Sequence, residues 1–277
     1  MTTEKVHFDK EKETMLMTLY SRAWQSKWKN PILRDPWAEE AIQHIDYDTS
    51  KLQNMGGIFA PLIADFGLTI VATRAATFDS LTRSYLNDHP DTVVLHLGCG
   101  MDSRVFRVDP PAPVQWYDVD YPDVIDLRRK FFPERDHYQM IGAPLDDLHW
   151  LESVPNDRSV LLVAEGVFHY LTEATVKALL NAVTQRFPGG QLVFDATNTM
   201  IVKRTSNVGN TGANYQWGLD DPQDIQKLDP KLMLVKEYRP HELVGFSRFS
   251  WLMRGMFRAM EVSPTLRRGE RILVYRF

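Results

Sequence analysis

Two hydrophobic rhythms run along this chain, and they change over at Asp88-His89-Pro90. Before that point, apolar residues recur every three or four positions. Met15, Leu16, Leu19, Tyr20 and Ala23 do so within residues 8–30, which predicts an amphipathic helix broken by Asn30-Pro31 and Asp35-Pro36. Residues 36–46 predict a second, short helix. Ile63, Phe66, Ile70, Ala75, Phe78 and Leu81 place a long one over 61–87. Residues 1–90 are therefore expected to be mostly helical.

After the changeover the apolar residues come in short unbroken runs. Residues 92–97 end at glycines and read as a strand buried on both faces. Runs at 114–119, 138–141, 159–164 and 190–195 predict further strands, with helices over 122–131 and 172–187 between them. Such alternation predicts an α/β fold: a mostly parallel sheet with helices on both faces. Residues 203–222, with Ser206-Asn207-Val208-Gly209-Asn210-Thr211-Gly212, predict a long loop, of a kind usually functional or disordered in a compact domain. A strand at 232–237, a helix around 240–260 and a strand at 270–277 follow, the two strands pairing antiparallel. No internal repeat interrupts the pattern. Residues 1–277 read as one domain, with 1–90 a helical cap and 91–277 the core carrying the 203–222 insertion.

Composition narrows the class. Of 277 residues 44% are hydrophobic, enough for a sizeable core, and the net charge of -4 supplies no basic field for nucleic acid. No stretch approaches the roughly 18 apolar residues of a membrane span. The polar start Met1-Thr2-Thr3-Glu4-Lys5 has no apolar signal region, and Cys99 is the single cysteine. Together these point to a cytoplasmic protein with neither nucleic acid nor membrane as partner. His44, His89, His137, His149 and His241 show no metal-ligand spacing, so no metal is expected. Arg267-Arg268 with Arg271 reads as a solvated turn.

The chemistry begins at His96-Leu97-Gly98-Cys99-Gly100. Glycines directly after a strand allow backbone angles closed to other residues and let a ligand approach the main chain. A second strand, Val114-Gln115-Trp116-Tyr117-Asp118-Val119-Asp120, ends in acid about 20 residues on, where a carboxylate can accept both hydroxyls of a ribose. Asp120 is best placed for this and Asp118 is the near alternative. A dinucleotide site would want glycine at 103, where this chain has Ser103. That departure counts against a nicotinamide-dependent oxidoreductase. Cys99 reads as a small filler between the glycines.

The motif Leu97-Gly98-Cys99-Gly100-Met101-Asp102-Ser103-Arg104, followed by Tyr117-Asp118-Val119-Asp120-Tyr121-Pro122, resembles the leucine carboxyl methyltransferase family. So do Arg22-Ala23 with Asp35-Pro36, Arg74, and Ala164-Glu165-Gly166-Val167-Phe168-His169-Tyr170-Leu171. The resemblance runs from about residue 15 to the C-terminus. The family holds protein phosphatase methyltransferases and bacterial O-methyltransferases similar to that of tetracenomycin synthesis. Trp217-Gly218-Leu219-Asp220-Asp221-Pro222 leans to the bacterial, polyketide-type branch. The resemblance implies a Rossmann-like seven-stranded sheet with its last strand antiparallel. It implies S-adenosylmethionine (SAM) as cofactor, released as S-adenosylhomocysteine.

Roles follow from the resemblance too. Gly98 and Gly100 would line the methionyl portion, Asp120 the ribose, and Glu165 the methionyl ammonium. Arg74 would bind a carboxylate of SAM or of the substrate, and Arg22 is the matching basic position on the N-terminal helix. Where the family often has an acid before leucine, this chain has Pro144-Leu145, so adenine contacts pass to Leu145 or Asp146. His169 is either a general base or a packed histidine, and Tyr170 either core or a donor to a substrate oxygen. A carboxylate acceptor needs no base, whereas a phenol benefits from one. The expected reaction is O-methylation of a small molecule, polyketide-like or a carboxylic acid, with Arg22, Arg74 and Tyr170 holding the acceptor oxygens. A partner protein's C-terminus and a non-catalytic SAM-binding role stand beside it.

Overall fold

The computed structural model describes residues 4–5, 8, 11–46, 60–205, 207–208, 211–263 and 265–277, with backbone alone at 4–5 and 60–66. Its centre is β3 (Thr92–Leu97), whose six residues are all buried. Alternate side chains pass to opposite faces, as the period of two requires. Val94, Leu161, Val163 and Val193 meet Phe78, Tyr85 and Leu86 of the long helix α3 (Ala60–Asp88) on one face. Leu95, Leu97, Leu162 and Phe194 meet Val176, Leu179, Leu180 and Val183 of α6 (Glu173–Arg186) on the other. Each such fully buried side chain contributes about 1.5–3 kcal/mol relative to exposure.

Seven strands form one sheet: β4 (Gln115–Asp120) and β5 (Tyr138–Gly142) to one side of β3, and β6 (Ser159–Ala164), β7 (Gly190–Thr197), β9 (Glu270–Arg276) and β8 (Met233–Tyr238) to the other, in that order. Only β9 runs against the rest, antiparallel to both β7 and β8. This is the Rossmann-like α/β sheet, with its antiparallel last strand, that the sequence predicts. The remaining helices are α1 (Glu11–Ser26), α2 (Pro36–His44), α4 (Arg104–Val108), α5 (Pro122–Phe131), α7 (Thr199–Arg204), α8 (Ile225–Leu228) and α9 (Trp251–Met260). The chain leaves β3 toward β4 and β5, then returns to β6 on the opposite side. Strand order therefore reverses between β3 and β6, and a crevice opens at their carboxyl ends. The glycine turn and Glu165 both sit on that crevice.

Some expectations needed correction. Residues 4–5 and 45–46 form a small parallel pair, β1 (Glu4–Lys5) and β2 (Ile45–Asp46), inside the region expected to be helical. Ile63 and Phe66, counted toward the long helix, have side chains outside the described residues. The helix expected around 240–260 is only α9. Pro240 opens a short 3-10 turn, Gly245 takes φ +84, and Ser250 caps Met253 N at 3.3 Å. A Cβ at Gly245 would lie 2.6 Å from Ile32, so this break lets the chain pack on the N-terminal region. Arg271 is not in a solvated turn. It is buried on β9, donating to the carbonyl of Leu219 and reaching Glu237 at 3.4 Å.

Candidate active site

The turn after β3 is held open by two positive φ values, +55 at Gly98 and +48 at Gly100. A Cβ at Gly98 would lie 2.5 Å from Val167, so a side chain there would push the turn off the segment that follows β6. The Gly100 amide donates to Asp120 Oδ2 and the Tyr121 amide to Oδ1, both at 2.7 Å. Both oxygens of Asp120 are thereby fixed while keeping lone pairs toward the cavity it lines. Burial raises the Asp120 carboxyl pKa, outweighing the two amide bonds that lower it.

Asp118, two residues earlier on β4, is elsewhere. It is fully buried and is not part of the cavity wall. Arg128 and Tyr138 donate to one of its oxygens, Tyr138 at 2.6 Å. Trp116 Nε1 donates to the other and His96 Nδ1 bonds it, both at 2.8 Å. Burial opposes its charge, but Arg128, His96 and Tyr138 together outweigh this and its pKa falls to about 2. As an alternative ribose ligand it is corrected: its acceptor capacity is spent inside the sheet.

The cavity has a volume of about 850 Å³. It is lined by α1 (Met15, Thr18, Ser21, Arg22), by α3 (Leu68, Ile70, Val71, Arg74), by the glycine turn, by Pro144, Leu145 and Asp146, by 165–172, and by part of 208–216. Of the residues predicted for the site, Arg22, Arg74, Gly98, Gly100, Asp120, Leu145, Asp146, Glu165, His169 and Tyr170 all line this one cavity. Pro144 sits there as well, beside Leu145, whose side chain also joins the core under the sheet.

Behind the wall is an ionic lattice that the sequence reading did not anticipate. Arg74 Nε donates to Glu165 at 2.9 Å, and its Nη1 reaches Asp195 at 3.0 Å and Glu270 at 3.3 Å. Its Nη2 makes no hydrogen bond among the described residues. Arg104, fully buried, donates to Asp79 at 2.9 Å and to the second oxygen of Glu165, and lies 3.0 Å from Asp102. Arg107 bridges Asp79, Asp35 and Asp102. Burial works against the charges of Asp79 and Asp102, yet Arg104 and Arg107 hold both carboxyls below the usual range.

Arg22 is part of this lattice. It pairs with Asp35 at 3.1 Å and donates to the carbonyl of Met101 at 2.7 Å, tying α1 to the glycine turn. Ser103 Oγ donates to Asp35 at 2.6 Å, so the third position of the dinucleotide pattern is spent within the protein. Of these residues, Asp102 and Arg104 stand inside the glycine motif and Asp195 closes a predicted strand. Arg22, Asp35, Arg74 and Glu165 stand in the other family motifs, whereas Asp79, Arg107 and Glu270 carry no local signal.

A second wall of the cavity is neutral. His169 is buried between two tyrosines, ring centroids 4.5 Å from Tyr170 and 4.3 Å from Tyr215, and burial lowers its pKa to about 4. Burial raises the pKa of both tyrosines, so they keep their protons. The segment bearing Tyr215 is anchored here: the Gln216 amide donates to the His169 carbonyl at 2.7 Å, and its side chain to that of Tyr170 at 2.6 Å. Tyr215 lies in the loop expected over 203–222, whose polar composition hid it. The first residues of that span belong to α7, and 206 and 209–210 lie outside the described residues. Cys99 is buried, and burial raises its thiol pKa well above the usual range, as suits a filler.

Residues 15–184 match the family described as leucine carboxyl methyltransferase. The chain is 37% identical over 268 residues to the tetracenomycin polyketide synthesis O-methyltransferase TcmP of Streptomyces glaucescens, covering 96% of both proteins. It is 30% identical over 280 residues to the S-adenosyl-L-methionine-dependent methyltransferase dpfgK of Gibberella zeae, covering 93% of this chain and 92% of that protein. Among solved structures, magnesium protoporphyrin IX methyltransferase from Synechocystis PCC 6803 superposes with a TM-score of 0.47 at 14% identity, covering 81% of this chain and 90% of that one. With nearly full-length relatives at these identities, and the family's motifs converging on one crevice, the chain belongs to the leucine carboxyl methyltransferase family.

Proposed function

We propose that this chain is a SAM-dependent O-methyltransferase whose acceptor is a carboxylate on a small molecule. The cofactor suits the donor set of the crevice. Asp120 presents two oriented acceptors for a ribose, the Gly98 and Gly100 backbone allows close approach, and Glu165 offers an anion for an ammonium. Leu145 and Asp146, also on the lining, are left for the base edge. SAM supplies a methyl group on a positively charged sulfur. The protein's part is to hold the two reactants in line and exclude water.

The single observation that carries the carboxylate reading is the neutral wall. His169, with its pKa near 4, is far too weak a base to take a proton from a phenol near 10. A carboxylate arrives ionised and needs no base. The Nη2 of Arg74 and the hydroxyl of Tyr170 remain as donors for its oxygens, a planar guanidinium matching a planar acid. Arg22 acts by positioning α1 over the glycine turn. The α1 helix and residues 212–216, which line the cavity, would cap the acceptor. TcmP acts in polyketide synthesis by its name, and a polyketide-like acid is the first acceptor class to try.

The test is product analysis with methyl-labelled SAM and a panel of aromatic acids and phenols. A base-labile methyl ester supports the reading and a base-stable ether overturns it. Label appearing only on the C-terminus of a partner protein would assign the protein-methylating reading instead. No turnover with bound SAM would assign the non-catalytic one. Arg74→Ala with unchanged turnover and SAM affinity would sink the site assignment.

A further inference from the structure

The α9 helix is one-sided in an unusual sense. Its inner side packs Phe257, with Met253 and Met260, on Phe246, Phe249 and Ile70. Its outer side is also apolar. Trp251 is 78% exposed, Leu252 54%, Met256 43%, and Val262, just past the helix, 86%. At helical spacing Trp251, Leu252 and Met256 fall on one arc with Gly255 and Ala259, so the exposed face carries no polar side chain across its middle. A Cβ at Gly255 would meet nothing within 4 Å, so the face is convex and open rather than part of a groove. Leu266, 43% exposed, continues it into the next turn.

Charge borders this face on one side. Arg254 and Arg258 flank the apolar arc, and Arg248, Arg267 and Arg268 lie in the adjoining segments. Glu261 is the one acid from 246 to 268, and it is taken by His241. Among the described residues Arg254, Arg258 and Arg267 form no ion pair, although the chain as a whole is acidic at -4. The basic rim is therefore local.

We propose that this face lies on an anionic lipid surface, with Trp251, Leu252, Met256 and Val262 entering the headgroup boundary and the arginines meeting lipid phosphates. Bulky apolar residues with an indole on one side and arginine at the edge are what an interfacial helix needs. A second copy of this chain is the poorer occupant. A two-fold contact through the arc would bring Arg254 and Arg258 of both copies together with no free acid to meet them. A convex face also gives a protein partner no socket, whereas a fluid surface requires none. The expectation that the chain has no membrane partner rested on the lack of a spanning segment. No described helix is long and apolar enough to cross a membrane, and a peripheral helix does not need to be.

Co-sedimentation of the full chain with vesicles tests this. Phosphatidylcholine containing phosphatidylglycerol should pellet the protein, and phosphatidylcholine alone should pellet much less. Arg254→Gln and Arg258→Gln should each weaken binding about five-fold, and added salt should do likewise. Trp251→Ser with Leu252→Ser and Met256→Ser should abolish binding while leaving the thermal unfolding midpoint and circular dichroism of the wild type. Three outcomes overturn the proposal. These are no preference for anionic vesicles, binding that survives the triple substitution, or a solution dimer that the triple substitution splits into monomers.

Discussion

The two walls of the cavity are opposites. Behind the glycine turn and Glu165 stand Arg22, Arg74, Arg104 and Arg107 with Asp35, Asp79, Asp102 and Asp195, nearly all buried and each with two or more partners. On the second wall His169, Tyr170 and Tyr215 are neutral, in ring contact and lightly hydrogen-bonded. A buried charge is tolerable only when paired, so the charged wall is fixed by its own electrostatics. The neutral wall recognises by shape and apolar contact and leaves proton transfer aside. On the proposed reading, one wall sets where the methyl donor sits, and the other sets what can be brought to it. The same contrast recurs within β4, where Asp118 is sealed and Asp120 open.

Five substitutions can break or sharpen this contrast. Arg128→Leu should have the largest effect, because it leaves Asp118 charged and unpaired in the sheet. A loss of about 3–5 kcal/mol in urea unfolding is expected. A loss below about 1 kcal/mol would show that the sealed side is not held by pairing.

Next comes pH. The folded-state pKa of His169 is lowered from 6.5 to about 4, so the unfolded chain takes up its proton first as pH falls. This contribution to stability is complete above pH 6.5 and is lost as pH drops toward 4, amounting to on the order of 3 kcal/mol. Asp118 adds a separate loss below its usual 3.8, toward about 2. Urea midpoints measured from pH 7 to 4 should fall less in His169→Phe than in wild type. Parallel curves would contradict the burial argument.

Asp120→Asn should weaken SAM binding by about 10- to 150-fold, or 1.5–3 kcal/mol, by calorimetry, with little loss of stability, since burial already disfavours its charge. Asp118→Asn should do the reverse. Equal effects of the two on affinity would erase the distinction between them. The smallest effect belongs to Tyr170→Phe. A rise in acceptor KM of about 2- to 10-fold, from one lost hydrogen bond, should leave SAM affinity unchanged.

Much of this was legible in advance because it is local. The unbroken run at 92–97, the glycines after it and an acid 20 residues on follow from one strand-turn-helix-strand unit, so each residue's neighbours are close in sequence. Arg22, Arg74, Glu165, His169 and Tyr170 were legible through family motifs, and the fold gathers them around one cavity. The ionic lattice was not legible. Asp35 meets Ser103 across 68 positions, Arg74 meets Asp195 across 121, and nothing in a local pattern encodes such pairs. The α9 helix was predicted too long because periodicity does not register Gly245 packing on Ile32.

By itself, then, the sequence determined the order of elements, the Rossmann-like class and the position of the glycine turn, since period, glycine and strand-end acid act over short range. Tertiary structure alone decided which acid of β4 is sealed, what Arg22 and Arg104 hold, that His169 stays neutral, and that α9 presents an apolar face. Those outcomes depend on burial and on partners from distant segments, and a side chain acquires both only when the sheet closes around it.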